Sequence, residues 1–151
     1  MLNIKKKKIL FISTRPVTLK VFLKELIYIL DKDIDVEILT NTKFLNRDNK
    51  LKKIKYNHIP FERNISLFLD LFCLIKIIIF LNKKNYDWIF SITPKAGLIS
   101  SIASFITGVK TRIHIFTGQV WSNKNFIFKN FLKIFDKIIC YCSNNILCDS
   151  R

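Results

Sequence analysis

The sequence predicts an α/β fold, an open parallel sheet with helices on both faces. Short apolar runs closed by turns alternate with longer helical stretches, the pattern of strand–helix–strand units. The block Ser91-Ile-Thr-Pro-Lys-Ala-Gly-Leu98 joins a buried-strand run at 88–92 to an apolar helical stretch at 96–107. Only three glycines occur, and two of them, Gly97 and Gly118, stand just past predicted strands. A strand that ends in a Pro/Gly turn and feeds a helix leaves that helix's first N–H groups facing a crevice. In open α/β sheets that crevice, at the carboxyl ends of the strands, is where ligands bind.

Each element follows from local pattern. Residues 8–14 form a short apolar strand entered through the lysines at 5–8. Arg15-Pro16-Val17 is a turn, and Thr18 is the expected N-cap of a helix running to residue 30. Residues 35–41 alternate as a second strand, 44–53 is a basic loop or short helix, and 55–60 is a third strand closed by Pro60. The stretch 66–84 is a long helix, apolar nearly all round. Strand, helix and strand follow at 87–93, 96–107 and 110–116. Residues 126–141 make an amphipathic helix with Ile127, Phe128, Phe131, Ile134, Phe135, Ile138 and Ile139 on one face. A sixth strand begins at 145–148. No repeat or flexible linker interrupts this order, so residues 1–151 read as one domain.

Composition narrows the class. Half the residues are hydrophobic, which excludes disorder over most of the chain. No stretch reaches the roughly 20 uninterrupted apolar residues of a membrane span, and the longest candidate, 67–81, is interrupted by Asp70 and Lys76. The apolar run 9–12 is too short for a signal-peptide core, and no small-residue cleavage site follows. A cytoplasmic protein is expected, one that could also sit peripherally on the inner face of the membrane. Cys73, Cys140, Cys142 and Cys148 form no Cys-x-x-Cys pair. They are expected as buried, reduced thiols, with no disulfide framework, metal or cofactor.

Lys plus Arg number 26 against 11 Asp plus Glu, a net charge of +15. Such a field attracts anionic surfaces, whether nucleic acid or acidic lipid. The plain alternative is an ordinary solvated lysine surface. Nucleic acid is disfavoured: there is no zinc pattern, and the aromatics lie in apolar runs rather than interleaved with arginines. Lys129, Lys133 and Lys137 recur at i, i+4 and i+8 on the polar face of the 126–141 helix. That spacing suits an anionic membrane surface or, equally, a solvated helix face with Asp136 cancelling part of the charge.

Candidate site residues cluster at predicted strand ends, each with a duller alternative. Gly97 and Gly118 either relieve turn strain or admit close approach of a ligand. Lys95 opposes the helix dipole at a helix start, which raises the case for an anionic partner, although a solvated surface lysine remains the larger expectation. Arg15, at the tip of the first strand, suits a phosphate contact or a loop ion pair. Thr117 and Gln119 are polar groups in apolar surroundings. Glu62 and Arg63, after Pro60, could line the same side, whereas His58 and His114 read as structural imidazoles.

Several blocks, in order, carry a resemblance. Ser13-Thr-Arg-Pro-Val-Thr-Leu19, Ile59-Pro-Phe-Glu-Arg-Asn-Ile-Ser66, Thr93-Pro-Lys-Ala-Gly-Leu98, Ile113-His-Ile-Phe-Thr-Gly-Gln-Val-Trp121 and Ile146-Leu-Cys-Asp-Ser150 span nearly the whole chain. Together they resemble the amino-terminal, acceptor-side domain of family-4-type bacterial glycosyltransferases. The resemblance implies one Rossmann-like half of a GT-B enzyme that retains anomeric configuration and builds polysaccharide or lipid-linked oligosaccharide. It also implies a substrate-binding role for Thr93 and a nucleotide sugar held by a second, carboxyl-terminal domain that lies outside this sequence. On that reading the 151 residues are a front half, inactive alone. Two departures stand out. Thr14-Arg-Pro-Val17 replaces a glycine-rich loop, and Thr117 stands where many relatives carry a histidine. Thr is neither a cation nor a base near neutral pH, so its role would be hydrogen bonding. No catalytic residue is assigned.

Two other classes remain open. One is a non-catalytic membrane-surface subunit that partners a separately encoded donor domain. The other, an unrelated nucleotide binder, is disfavoured because neither G-x-G-x-x-G nor G-x-x-x-x-G-K-[ST] occurs.

Overall fold

Six strands pair in parallel as one sheet: β1 Lys8–Ile12, β2 Asp35–Thr40, β3 Lys55–His58, β4 Trp88–Ile92, β5 Thr111–Phe116 and β6 Asn145–Cys148. The computed structural model describes residues 6–46, 51, 53–118 and 126–149. Strand order is β3-β2-β1-β4-β5-β6. The winding direction therefore reverses between β1 and β4, and that junction is the switch point of a doubly wound sheet. The helices are α1 Pro16–Leu30, α2 Leu67–Lys84, α3 Pro94–Ile106 and α4 Phe126–Cys142, with a short 3-10 turn at Thr42–Phe44.

Strand alternation sorts the core into two layers. Ile9, Phe11, Val36, Ile38, Phe90 and Ile92 face α1, which buries Leu19, Leu23 and Ile27 against them. Leu10, Ile12, Leu39 and Ile89 face the other way, under Cys73, Ile77 and Leu81 of α2 and Ala96, Ile99 and Ala103 of α3. The central strands are thus covered on both faces, which is why they read as continuous apolar runs. On the outer side α4 packs on α3, with Ile139 and Cys142 buried.

Several boundaries shift for physical reasons. Helix α1 starts at Pro16 with Arg15, not Thr18, as the extended N-cap, and α3 starts at Pro94 rather than Ala96. Proline fits a helix's first position because its φ is preset and its missing N–H would have no helical partner there. Strand β1 ends at Ile12, since the Ser13 hydroxyl turns to donate to the Arg15 carbonyl at 2.8 Å. Burial of all four thiols needs correction. Cys73 and Cys142 are buried, but Cys140 on α4 and Cys148 on the edge strand β6 are exposed, and all four are free. The α4 lysine ridge is also less free than its spacing suggests, because Lys129 and Lys133 are half-buried and already engaged. The predicted apolar face of α4 is only partly covered, with Phe131 and Ile134 exposed.

One buried carboxylate ties the α2 side together. Glu37, 5% exposed, accepts from Lys84 at 2.9 Å, Asn57 at 2.7 Å, the Tyr86 hydroxyl at 2.9 Å and Lys55 at 3.2 Å. Burial pushes its pKa up, but the four donors outweigh that and hold it at about 2, against an ordinary 4.5. A carboxylate depressed in the folded state contributes stability that is complete above its unfolded value. We therefore expect about 2 kcal/mol, allowing for screening at the exposed lysine, to be lost as pH falls from 4.5 toward 2. Urea titrations across that range should show this limb in the wild type and its flattening in Glu37→Gln. An unchanged limb would remove Glu37 from the acid response.

Candidate functional site

The turns after β1 and β4 meet at the switch point. The Thr14 amide donates to Thr93 Oγ1 at 3.3 Å, and the two hydroxyl oxygens lie 3.4 Å apart. Thr93 has φ 84° and ψ 136°. Positive φ is costly for a β-branched residue, and proline at the next position disfavours it further. Strain of this kind persists where surrounding contacts over-determine it, and it concentrates at functional sites. The first helical bond of α3 runs from the Gly97 amide to the Thr93 carbonyl at 2.7 Å. The Lys95 and Ala96 amides thus have no partner within the helix.

The side chain of Lys95 does not face the crevice as a free cation. Its ammonium donates to the Asn64 carbonyl and to Asp70 Oδ1 at 2.8 Å, with only 13% of the side chain exposed. Asp70 also accepts from the Ser66 amide at 3.2 Å. A carboxylate in the first turn of α2 suits that helix's dipole, so the unfavourable position of Lys95 on α3 is offset by a partner on α2. The solvated lysine expected here is thus corrected, and the anion beside Lys95 is a residue of this chain.

Gly97 likewise meets protein. A Cβ built there would stand 2.2 Å from Cε1 of His114, so the absence of a side chain is what lets α3 sit on β5. His114 is buried, and its Nδ1 lies 2.8 Å from the Ser91 hydroxyl on β4. The ring packs edge-on to Phe116, with centroids 4.5 Å apart. Burial drives the His114 pKa down to about 4, only partly offset by the bond with Ser91, which leaves a neutral imidazole at pH 7.

A cavity of about 260 Å³ opens here, lined by Thr93, Pro94, His114, Ile115, Phe116, Thr117 and Gly118. Gly118 has φ 143°, a conformation that L side chains rarely adopt, and open space lies where a Cβ would project. A larger hollow, about 480 Å³, lies among Lys6, Lys7, Lys8 and Lys110 at the amino ends of the strands. The smaller one is the better site, since it occupies the carboxyl edge beside the switch point. On the far side of Thr14, toward β2, the Arg15 guanidinium lies 3.4 Å over the Phe44 ring as a stacked cation.

Thr93, Thr117 and Gly118 therefore share one cavity, whereas Arg15 lies outside its lining, against Phe44 beyond β2. Lys95 and Gly97 turn into the protein, Glu62 and Arg63 are exposed, and Gln119 lies outside the described residues. His58 is structural, with Nδ1 2.8 Å from the Thr42 hydroxyl. Thr14, Ser91 and Asp70 were missed from sequence, as was the place of His114 in the lining. Alternation along β5 does put His114 on the same face as Arg112 and Phe116, and that face meets α3.

A doubly wound, Rossmann-like domain with a crevice at its switch point is thereby defined, and relatives specify it further. The chain is 32% identical, over 97% of its length, to the capsular polysaccharide biosynthesis glycosyltransferase CapM of Staphylococcus aureus. It spans 38% of that relative's length. Its fold matches UDP-N-acetylglucosamine 2-epimerase of Rickettsia bellii, with TM-score 0.69, 19% identity, and coverage of 94% of this chain and 38% of that one. It also matches MurG of Acinetobacter baumannii, with TM-score 0.69, 10% identity, and coverage of 94% and 41%. No protein-family model matches the chain. The chain is thus similar in sequence to the matched part of a capsular polysaccharide biosynthesis glycosyltransferase, and its fold is the Rossmann-like one of these solved structures.

Two outcomes test the geometry. Gly97→Ala should destabilise by about 1–3 kcal/mol through overpacking, despite a helix-propensity gain of about 1 kcal/mol. His114→Ala in the same chain should recover part of that loss, a non-additivity read from urea midpoints. A neutral Gly97→Ala would sink the close-packing account. Separately, a histidine with a depressed folded pKa gives stability that is complete above 6.5 and lost as pH falls toward 4. About 3 kcal/mol should go over that interval and be retained in His114→Gln, whose side chain does not titrate.

Proposed function

We propose that the chain is the acceptor-side domain of a retaining GT-B glycosyltransferase of the family-4 type. The whole enzyme would move a hexosyl or N-acetylhexosaminyl group from a nucleotide sugar to a polysaccharide or lipid-linked oligosaccharide in bacterial surface glycan synthesis. The relation to a capsular glycosyltransferase along almost the whole chain is the observation that carries this reading. The crevice at the strand ends and the UDP-sugar named for a fold neighbour support it.

In the reaction an acceptor hydroxyl oxygen bonds to the anomeric carbon, whose bond to the nucleoside diphosphate breaks. The hydroxyl proton leaves and the diphosphate carries away the electron pair. Positive charge and helix N-termini stabilise the departing group, and most of that charge would come from a second domain. Arg15, steadied by Phe44, would contact an acceptor phosphate. Thr93, Thr117, Gly118 and Gln119 would line the acceptor side, with Lys95 and Gly97 holding the start of α3 in place. A lipid-linked acceptor would put the domain against the inner face of an anionic membrane.

The test pairs this chain with a donor domain supplied in trans. The chain alone should show no micromolar heat of binding with UDP-sugars, and labelled sugar should reach a membrane acceptor only when both parts are present. Arg15→Ala should then lower kcat/KM by about 10- to 100-fold, the usual loss for a charged hydrogen bond. Micromolar binding of a nucleotide sugar to the chain alone would overturn the division of labour.

A further inference from the structure

The larger hollow, of about 480 Å³, lies at the opposite edge of the sheet from the crevice and has a chemistry of its own. In a parallel sheet the crossover helices run back over the strands, so strand starts and helix ends share one edge. Here that edge gathers the approach to β1 at residues 6–8, the end of α2 and its turn at 81–87, and the end of α3 and its turn at 107–110. Left-handed residues make both turns, Asn85 at φ 51° and Gly108 at φ 69°. Backbone bonds frame the hollow: the Asp87 amide donates to the Lys8 carbonyl at 3.0 Å, and the Lys8 amide donates to Asp87 Oδ2 at 2.8 Å. Buried Leu81, Tyr86 and Val109 supply its apolar lining.

The rim is cationic. Lys6, Lys7, Lys8 and Lys110 line the hollow against a single carboxylate, Asp87. Lys8 is partly spent, 3.7 Å from Asp35, and Lys7 lies 5.2 Å over the Trp88 ring. Lys6 and Lys110 are exposed and make no ion pair among the described residues. The ends of α2 and α3 oppose an anion, since each carries roughly half a negative charge. Even with Lys8 counted as neutralised by Asp35, three lysines face Asp87 and about one charge of helix dipole, so the hollow stays positive. The helix-end carbonyls are also capped: the Asn85 amide donates to the Leu81 carbonyl at 3.2 Å, and the Val109 amide to the Ser104 carbonyl at 3.0 Å. The side chains of Asn82 and Asn85 add neutral donors to the lining.

We propose that this hollow is a second ligand site, one that takes a small polyphosphate anion, with Lys6 and Lys110 on its charged oxygens from two sides and Asn82 and Asn85 donating beside them. Lysine suits such a ligand because its ammonium is a point charge on a flexible stem that follows rotating phosphoryl oxygens. The volume falls within the range of small-molecule sites, and a hollow enclosed by three chain segments fits a compact anion rather than an extended acidic chain. The site stands apart from the acceptor-side reading. It lies at the other end of the strands from Thr93 and Thr117 and shares no lining residue with the crevice.

Amide chemical shifts of the isotopically labelled full chain, titrated with inorganic tripolyphosphate at constant ionic strength, test it. The shifts should saturate and centre on residues 82–87 and 107–110. Lys6→Gln with Lys110→Gln should weaken binding by about fivefold per lysine, the upper range for an exposed ion pair. Asp87→Asn removes the one acid while keeping an oxygen for the Lys8 amide, and it should tighten binding by about the same factor. Dispersed spectra show that each variant is folded, and the Asp87→Asn gain is one that misfolding does not mimic. Shifts that fail to saturate overturn the proposal, as does equal weakening by Lys137→Gln on α4, which would assign the effect to the general positive field. Shifts centred on Thr93 and Gly118 overturn it too, by moving the anion to the crevice. Its failure leaves the acceptor-side reading to the trans-complementation assay.

Discussion

The geometry of the crevice depends on one contact, the imidazole of His114 packed where Gly97 has no side chain. Ser91 on β4 holds that imidazole from the neighbouring strand. Two strands and the first turn of α3 are therefore locked by three residues. The strained φ of Thr93 is the local consequence, because the chain must leave β4 and enter α3 within one residue for the helix to begin over β5. Strain of about 1–3 kcal/mol is tolerable there. The same placement buries Ala96, Ile99 and Ala103, and an isoleucine alone is worth about 2 kcal/mol when fully buried.

Helix α2 is fixed at both ends by carboxylates of opposite origin. At its start, its own Asp70 takes Lys95 from α3; at its end, its own Lys84 reaches Glu37 inside β2. Both signs complement the helix dipole. Buried pairs add little net stability against well-packed apolar replacements, but losing one partner strands a charge, so they enforce a single placement of the helix. Fixed ends leave the middle of α2 free to present an apolar outer face without loosening the fold.

Element order and type were legible because period and punctuation are local. A run such as Trp88–Ile92 followed by Pro94 announces a strand and a helix start without reference to the rest of the chain. The strand-end positions of Thr93 and Gly118 were legible for the same reason. Pairings across the chain were not. Asp70 lies 25 residues before Lys95, and nothing near Lys95 signals a carboxylate arriving from another helix. Glu37 reads locally as the solvent-facing member of an alternating strand. Its donors come from residues 55, 57, 84 and 86, which only the crossover through α2 assembles. Cys140 and Cys148 were misjudged because a free thiol's usual preference for the interior says nothing about which helix face or sheet edge it occupies.

The fold itself does not choose among chemistries, since a 2-epimerase and MurG match it equally well at TM-score 0.69. The crevice residues constrain more. Thr117 cannot titrate near neutral pH, and the imidazole three residues earlier is held neutral with a pKa of about 4. What the described crevice offers is the hydroxyls of Thr93 and Thr117 and the backbone at Gly118. Such groups position and polarise a ligand; they do not shuttle protons at pH 7. On the proposed acceptor-side reading, these described residues would contribute positioning and hydrogen bonding rather than a proton acceptor.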